Sequence, residues 1–584
     1  MTHPPSNAEP PAPTSRATDE RGFVLVWFAL LLVVMLGVAA FAVDLGHAYY
    51  VAQQAQDAAD AAALSAATYL PDNCANADPH AVSVSGLNGF PNSGATAVTA
   101  VNGSEGTGCD NDSSLRPNEI QVDVKAKVDT WFARALGIDT ISVNRSSTAE
   151  YDPPVQLGSP SSNFGEAPGC NTCFQSNVWA SVAGEDNRKV DGNAIYEGWC
   201  QNTSADNCSG NNINNSDRDP NGMLFEISNP SLQPLNIKLY DPGFVNDGQN
   251  CADTQPYPAC TGDEALSQLT ANAPLLKTTY TLYPLDNLST PLGDPPICKV
   301  TYPGYASVAA AVAAGAADLT ARSFHQWADF SSDAGGCGAL NQSSYVLQVQ
   351  VGDQLGDSPE AGVNNFSVAA CTSCAGTTPT GDGSVDVSAI TKMSLFANAT
   401  PSTPNPQFYL ARVPSWARGQ FLTLSFFDVG DISNAAGQPI SGALTVTAVD
   451  ATHGAAGSTV GEFSACTFSH PESRGNTAGD YISGQITPWG TNPTLTEWAT
   501  NPSSLSSMGG GCTAQVDLNP ATGASYWNGK WVTIQVPIPT DYTCDDRDLT
   551  KCWLQIHYSY PPAQFHDATT WTARLSGNPV RLTK

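Results

Sequence analysis

The sequence predicts a mainly β protein that begins with a long transmembrane α-helix and continues through a small α/β module into two β-sandwich domains. Residues 22–43 are apolar and uncharged, and an Ala-rich helical stretch follows them directly. The remainder alternates in short strands separated by Gly, Asn and Pro. The expected parts are a disordered tail, the helix, the module and two exported sandwich domains, at 1–20, 21–70, 71–151, 152–375 and 376–584.

The apolar run is long enough to cross a membrane. At about 1.5 Å per residue, a helix of this length spans a hydrocarbon layer of ~30 Å. Arg16 and Arg21 precede the run, and the next Lys or Arg is Arg116. This asymmetry predicts a single-pass protein of the cytoplasmic membrane, with its N-terminus inside and its C-terminal region exported to the cell surface or periplasm. The alternative is a cleaved signal peptide, whose apolar stretch is usually only ~7–15 residues.

The stretch up to Pro71 extends the helix beyond the membrane. Ala and Gln are good helix formers, and the whole helix would reach roughly 45 residues, about 70 Å. Mostly small residues recur on one face: Val51, Ala55, Ala58, Ala62, Ser65 and Tyr69. Such a stripe permits close packing against a helix of another subunit or against the protein's own domain.

The module that follows is expected to contain four strands and one short helical segment. The strands are HAVSVSG at 80–86, ATAVTAV at 95–101, EIQVDVKAKV at 119–128 and TISVNRSSTAEY at 140–151. TWFARALG at 130–137 has apolar residues at helical spacing and ends in Gly.

Residues 21–150 resemble the N-terminal region of TadE/TadG-like proteins of Flp (Tad) pilus assembly. The likeness rests on Arg-Gly before the run, on one of two Tyr residues, and on these further positions: Asp44, Gly46, Gln53, Ala58, Asp60, Ala61 and Ala62. It implies a pilin-like helix whose membrane and helix packing involves Asp44, Gly46, Ala58, Asp60 and Ala62. It also implies partners among other pilus-assembly or pilin-like subunits.

Arg21-Gly22-Phe23 resembles a prepilin processing site, with cleavage between Gly22 and Phe23. Type IV-like pilins usually carry Glu at the fifth mature position, and Trp27 stands there in this sequence. The helix is therefore expected to act as an anchor rather than as the main pilus subunit. A DxSxS metal site, which some TadG-like members carry, is not expected, because the nearest string at 329–333 lacks the last Ser.

Charge and cysteine content restrict the function further. The net charge of −30 excludes nucleic acid as a partner, because a polyanion is repelled. All 16 Cys follow the apolar run, which favours disulfides in an oxidising compartment. Zinc is the alternative for the two CxxC pairs at 170/173 and 371/374. Short spacing favours three local disulfides: Cys200–Cys208, Cys251–Cys260 and Cys544–Cys552.

The β region contains two similar strand–turn segments, at 234–248 and 421–437, which suggest a duplication. Each ends in aromatic-Asp-x-Gly. Asp pairs in these turns, such as Asp241 with Asp247, have two interpretations, Ca²⁺ binding and ordinary turn capping. Residues 571–582 are expected to form one final strand.

No motif for catalysis, a metal or a cofactor emerges, since HExxH, GxSxG and P-loop patterns do not occur. The expected function is that of a membrane-anchored, non-enzymatic cell-envelope protein taking part in Flp/Tad-type pilus assembly or anchoring, as the resemblance implies. One alternative is an anchored adhesin that binds surface or carbohydrate ligands, for which SYWNGKW at 525–531 offers aromatic residues. The other alternative is an extracellular hydrolase.

Overall fold

The structure is a computed structural model, and its described residues divide into two compact units. Unit 1 comprises residues 1–150 and 580–584, and unit 2 comprises residues 151–579. The described residues are 21–70, 73–104, 109–116, 118–152, 154–159, 162–169, 178–189, 191–200, 215, 217–248, 260–265, 273–352, 359–372, 379, 385–399, 407–428, 433–434, 443–450, 467–469, 512–517, 531–538, 540, 542–545, 551–559, 565–575 and 580–583. The tail at 1–20, which the sequence predicts to be disordered, lies outside them.

Unit 1 consists of two helices, a four-stranded sheet and a 3-10 turn at Ala133–Leu136. The helices are α1 (Arg21–Ala67) and α2 (Cys74–Leu87). The strands, in sheet order, are β1 (Thr96–Asn102), β2 (Glu119–Asp129), β3 (Thr140–Tyr151) and the last strand of the chain, β25 (Val580–Leu582). The chain therefore leaves this sheet after β3 and returns to it with β25.

The long helix is confirmed, since α1 runs without interruption through the apolar run and the Ala-rich stretch over 47 residues. Its distal half packs on α2 and β2. The small residues of the predicted stripe make this possible, because Ala55, Ala58 and Ala62 are fully buried. Within the described residues, the stripe is thus used for packing inside unit 1.

The predicted strand at 80–86 is wrong, because these residues belong to α2. Their alternation of Val and Ser resembles a strand, but the buried positions of α2 include Ala77, Ala81 and Ser85, spaced four residues apart as on one face of a helix. A disulfide from Cys74 to Cys109 holds the start of α2. Tertiary packing therefore overrides the local two-residue alternation.

The described residues of unit 2 form mainly antiparallel strands, with three short α-helices and a 3-10 turn at Ser415–Ala417. The helices are α3 (Val308–Ala314), α4 (Leu319–Ser323) and α5 (Phe330–Asp333). The strands are β4 (Gln156–Ser159), β5 (Asn163–Phe164), β6 (Val178–Ala183), β7 (Met223–Ser228), β8 (Asn236–Tyr240), β9 (Thr278–Pro284), β10 (Cys298–Tyr302), β11 (Trp327–Asp329), β12 (Ser344–Val351), β13 (Val363–Cys371), β14 (Asp386–Ile390), β15 (Lys392–Ala399), β16 (Gln407–Arg412), β17 (Phe421–Phe427), β18 (Ser433–Asn434), β19 (Ala443–Asp450), β20 (Thr467–Ser469), β21 (Cys512–Asp517), β22 (Trp531–Pro537), β23 (Trp553–Ser559) and β24 (Phe565–Leu575).

These strands form three sheets. One has the order β10-β9-β12-β7-β14-β4, and another has the order β16-β23-β19-β21. The largest runs β11-β8-β13-β6-β15-β24-β17-β22-β20, with β5 and β18 paired alongside. Strands from both sides of residue 375 pair in this sheet, since Leu395 of β15 lies opposite Ala180 of β6. One continuous sheet therefore runs through both predicted sandwich domains.

The core of unit 2 lies between stacked sheets. Phe366 of the largest sheet meets two rings of the six-stranded sheet edge to face, those of Phe225 and Tyr280, with centroids 6.1 and 5.5 Å away. Further along the largest sheet, Trp571 meets Phe408 of the four-stranded sheet at 5.7 Å. Aromatic pairs in this geometry add to the burial of their apolar area. The mainly β class with an N-terminal helix is confirmed.

Candidate membrane-anchoring site

A buried carboxylate lies at the first position after the apolar run. The side chain of Asp44 is 3% exposed, although its neighbours along the run are exposed. Its Oδ1 accepts a hydrogen bond from the backbone N–H of Trp131 at 2.8 Å, and its Oδ2 accepts from those of Phe132 and Ala133 at 3.0 and 2.6 Å. One carboxylate thus binds three successive backbone donors of a segment far along the chain.

These donors have no partner in their own turn, which explains the contact. They begin the 3-10 turn at Ala133–Leu136, and the first N–H groups of any helical turn have no carbonyl before them. A negative charge at that end is favourable. The turn ends at Gly137, whose φ of 84° is the left-handed conformation that glycine adopts readily. We call this contact between Asp44 and residues 131–133 the Asp44 dock.

The Asp44 dock presents apolar side chains to solvent within unit 1. Trp131 is stacked on His47 of α1, with ring centroids 4.6 Å apart, yet is 61% exposed. Phe132, Leu136 and Ile138 are also exposed. Because a carboxylate that ends the apolar run holds these residues, they are fixed at the level where α1 leaves the run. We call these four residues the apolar collar.

The remaining residues that the sequence assigns to membrane and helix packing occupy different environments. Ala58 and Ala62 are fully buried inside unit 1. Asp60 is half-buried and accepts a hydrogen bond from Gln56 at 2.8 Å, one turn earlier on α1. Gly46 is exposed, and a Cβ placed on it would meet no atom within 4 Å. Gly46 therefore leaves open space beside the helix.

One face of α1 beyond the apolar run is open in the described part of unit 1. Its exposed residues are Leu45, Gly46, Tyr49, Tyr50 and Gln53. They recur at intervals of three and four residues, so they share a side of the helix. Two of them are exposed aromatic residues, a type enriched in protein interfaces. We call this set the Tyr face.

Gly22 and Phe23 lie in the first turn of α1. The side chain of Phe23 lies outside the described part of the structure, and cleavage between Gly22 and Phe23 remains a prediction. Val24–Ala67 is long and apolar enough to cross a membrane, and the most apolar part of it is not buried in the protein. A helix whose apolar side chains are exposed on every face is accommodated by lipid rather than by a protein core.

The described cysteines are in disulfides. Cys544 is bonded to Cys552, and Cys298 is bonded to Cys337. Cys200 and Cys260 are also disulfide-bonded. The partners that the sequence favours for these two, Cys208 and Cys251, lie outside the described residues.

Sequence reasoning singled out Asp44 but missed what it binds. TWFARALG shows helical spacing and a Gly stop, and nothing in it indicates that its N–H groups meet a residue more than eighty positions earlier. One signal was present: a lone carboxylate directly after an uncharged run needs hydrogen-bond donors when it is buried. The segment SYWNGKW, considered for sugar binding, lies outside the described residues except for Trp531.

Comparison with known families agrees with this anatomy. Residues 22–68 match the family model Tad, described as Flp pilus-assembly TadE/G-like. The searches of curated proteins and of solved structures returned no match. The match covers the apolar run and its Ala-rich continuation, which are the residues of α1. The N-terminal region is therefore similar to the Tad region of Flp pilus-assembly proteins, and its helix is long and apolar enough to cross a membrane.

Proposed function

We propose that this protein is a non-enzymatic, TadG-like component of Flp/Tad-type pilus assembly, anchored in the cytoplasmic membrane by α1 and with units 1 and 2 exported. The observation that carries the proposal is the Asp44 dock. The dock joins the folded part of unit 1 to α1 at the residue where the apolar run ends. A flexible tether would leave that unit free to rotate, whereas the dock holds it at a set height on the helix.

The orientation follows from the charges beside the apolar run. Arg16 and Arg21 lie on its N-terminal side, and the other side carries acidic residues with no Lys or Arg before Arg116. Basic residues remain in the cytoplasm. The disulfides of both units require an oxidising compartment, which supports the same orientation.

The Tyr face is the surface that we assign to another pilin-like subunit. Gly46 lets a second helix approach the backbone of α1, and Tyr49 and Tyr50 beside it supply contact area. Ala58 and Ala62 do not take part, because they are buried inside unit 1. The partner helix would therefore lie close to the membrane, along the first two turns after the apolar run.

Site-specific photo-crosslinking in cells that carry a Tad system tests this function. A photoreactive residue replaces Tyr50 in the full-length chain, and the matched control replaces Leu87, which is 84% exposed on α2 of the same unit. Crosslinks to pilus-assembly or pilin-like subunits are expected from position 50 but not from position 87.

Two results would contradict the proposal. One is recovery of the protein as a soluble secreted form, which would mean that α1 is no anchor. The other is an equal crosslinking pattern from both positions, which would mean that the Tyr face has no dedicated partner. Crosslinks to sugars or to host-surface proteins alone would favour the adhesin alternative.

A further inference from the structure

Unit 2 contains a buried cluster of three carboxylates and one imidazole, none of which belongs to the surfaces discussed above. Asp241 follows β8 directly, Asp247 and Asp263 lie in the loops after it, and His325 precedes β11. The three Asp residues are at most 4% exposed, and the His325 side chain is 16% exposed. The cluster is thus enclosed by protein, with its imidazole toward solvent.

The imidazole of His325 lies against two carboxylates of this cluster. His325 Nε2 lies 3.0 Å from Asp247 Oδ2 and 3.5 Å from Asp241 Oδ2. Ligand atoms around a tetrahedral zinc ion stand about 3.3 Å apart, because Zn–N and Zn–O bonds are about 2.0–2.2 Å long. The sulfur of Cys260 is also near Asp247, at 3.1 Å, but it is in a disulfide and offers no thiolate.

Two carboxylate oxygens of the cluster have no partner. Asp241 Oδ1 and Asp247 Oδ1 are buried and make no hydrogen bond in the structure as described. Burying a carboxylate oxygen without a donor is strongly unfavourable. In contrast, Asp263 is fully satisfied, since its two oxygens accept from the backbone N–H groups of Val245 and Asn365 at 2.9 and 2.8 Å. Within the cluster, the carboxylate oxygens that lack a hydrogen-bond donor therefore belong to Asp241 and Asp247, the two residues that pair with His325.

The charges of the cluster do not balance. The cluster contains three carboxylates and a single imidazole, and among the described residues the ion pairs of Asp241 and Asp247 go to His325 alone. Protons or a cation must supply the missing positive charge.

Supporting contacts hold the ligands in place. Thr261 Oγ1 donates to Asp241 Oδ2 at 2.8 Å, an outer contact of the kind that orients metal-ligating carboxylates. The Tyr240 hydroxyl donates to the backbone carbonyl of His325 at 2.9 Å. Both Asp241 and His325 have left-handed φ angles, of 49° and 52°. Non-glycine residues adopt such angles where the surroundings enforce them.

We propose that Asp241, Asp247 and His325 bind one divalent metal ion, and that the ion is Zn²⁺. Imidazole nitrogen with two carboxylates suits zinc better than it suits Ca²⁺ or Mg²⁺, which prefer oxygen ligands alone. Asp263, held by backbone donors, adds negative charge without contacting the ion. A metal here would link the loop after β8 to the segment before β11.

Metal analysis of the purified full-length protein in detergent tests this site. After loading with ZnCl₂ and dialysis, wild type should retain about one zinc per chain, as expected for a site with three protein ligands. The variant D241N/D247N should lose the ion, and H325Q, which keeps both carboxylates, should bind at least ~10-fold more weakly. D386N is the matched control, because Asp386 is an equally buried carboxylate outside the cluster. It should retain zinc as wild type does.

A second measurement covers the case in which the double variant fails to fold. Zinc added to dialysed wild type should raise its Tm, and the shift should be absent in H325Q. Wild type that retains no zinc and shows no Tm shift would overturn the proposal, and the cluster would then be an imidazolium–carboxylate network. Zinc retained equally by all variants would also overturn it, as would binding of Ca²⁺ in place of zinc.

Discussion

At the scale of single residues, two buried carboxylates of this protein, Asp44 and Asp386, differ in their hydrogen bonds. Asp44 is buried and fully hydrogen-bonded, whereas Asp386 is buried with neither oxygen hydrogen-bonded in the structure as described. Burial of an Asp carboxylate is therefore favourable at position 44 and unfavourable at position 386. The difference lies in backbone donors that other parts of the chain bring to it.

Replacing Asp44 by Ala should release the turn at residues 131–136. Three backbone N–H groups lose their acceptor, so the amides of Trp131, Phe132 and Ala133 should exchange with solvent at least ~10-fold faster. Hydrogen exchange of the full-length protein, read by mass spectrometry, measures this. Asp60→Ala is the control, because the hydrogen bond that Asp60 accepts comes from Gln56, one turn earlier within α1 itself. Unchanged exchange in Asp44→Ala would contradict the Asp44 dock.

Replacing Asp386 by Asn should stabilise unit 2 in a pH-dependent manner. Burial raises the pKa of Asp386 to about 7, above its usual 3.8 in the unfolded chain. The folded state therefore binds more protons between those values, and this residue lowers stability as the pH rises through that window. The gain in Tm of Asp386→Asn should be small near pH 4 and largest above pH 7. An equal gain at both pH values would contradict this account.

At the scale of elements, the short segment that joins β2 to β3 positions apolar side chains beside α1. Its 3-10 turn holds the apolar collar at the level where α1 leaves the apolar run. Trp and other apolar side chains are favoured at the boundary between lipid and water. We infer that the collar rests in the headgroup region when α1 spans a membrane.

Contact between the collar and lipid can be measured in proteoliposomes. A photoreactive residue at Leu136 should crosslink to phospholipid, and one at Leu87 should not, although both positions are about equally exposed, at 80% and 84%. Leu87 is a suitable control because α2 packs near the distal end of α1, where His80 bonds Ser65 at 2.7 Å. Equal labelling of the two positions would contradict contact between the collar and lipid.

At the scale of the whole molecule, the chain returns to its starting unit at its end. β25 adds to the sheet of unit 1 beside β3, and Thr583 N–H donates to the Thr148 carbonyl at 2.8 Å. Arg581 pairs with Glu150, whose side chain is 1% exposed and also pairs with Arg116. Unit 2 is thus an insertion in unit 1. The single final strand expected at 571–582 is instead two strands, β24 and β25.

Replacing Arg581 by Ala should destabilise unit 1, because the buried carboxylate of Glu150 would lose one of the guanidinium groups that pair with it. We expect a loss of about 1–2 kcal/mol, less than for a buried carboxylate left with no partner. The loss in the free energy of unfolding is measured by denaturant unfolding of the full-length protein, with hydrogen exchange of the β3 amides as the readout. Arg574→Ala, at an exposed position on β24, is the control and should leave β3 unaffected. Equal effects of the two changes would contradict the role of β25.

The sequence by itself determined the features that depend on nearby residues. The uncharged run, its Ala-rich continuation, the strands at 119–128 and 140–151, and the mainly β class all follow from local periodicity, and all are in the structure. The aromatic-Asp turns after β8 and β17 were also visible, and both Asp residues have left-handed φ angles. Such signals suffice because helices, strands and turns depend on contacts between close neighbours in the chain.

Only the tertiary structure decided what distant residues do together. It made 80–86 a helix, brought Asp44 to the amides of 131–133, and grouped Asp241, Asp247 and His325. It also joined both halves of the β region in one sheet and returned β25 to unit 1. These pairings depend on burial and on hydrogen bonds between residues far apart in the chain. A single sequence carries no local pattern for them.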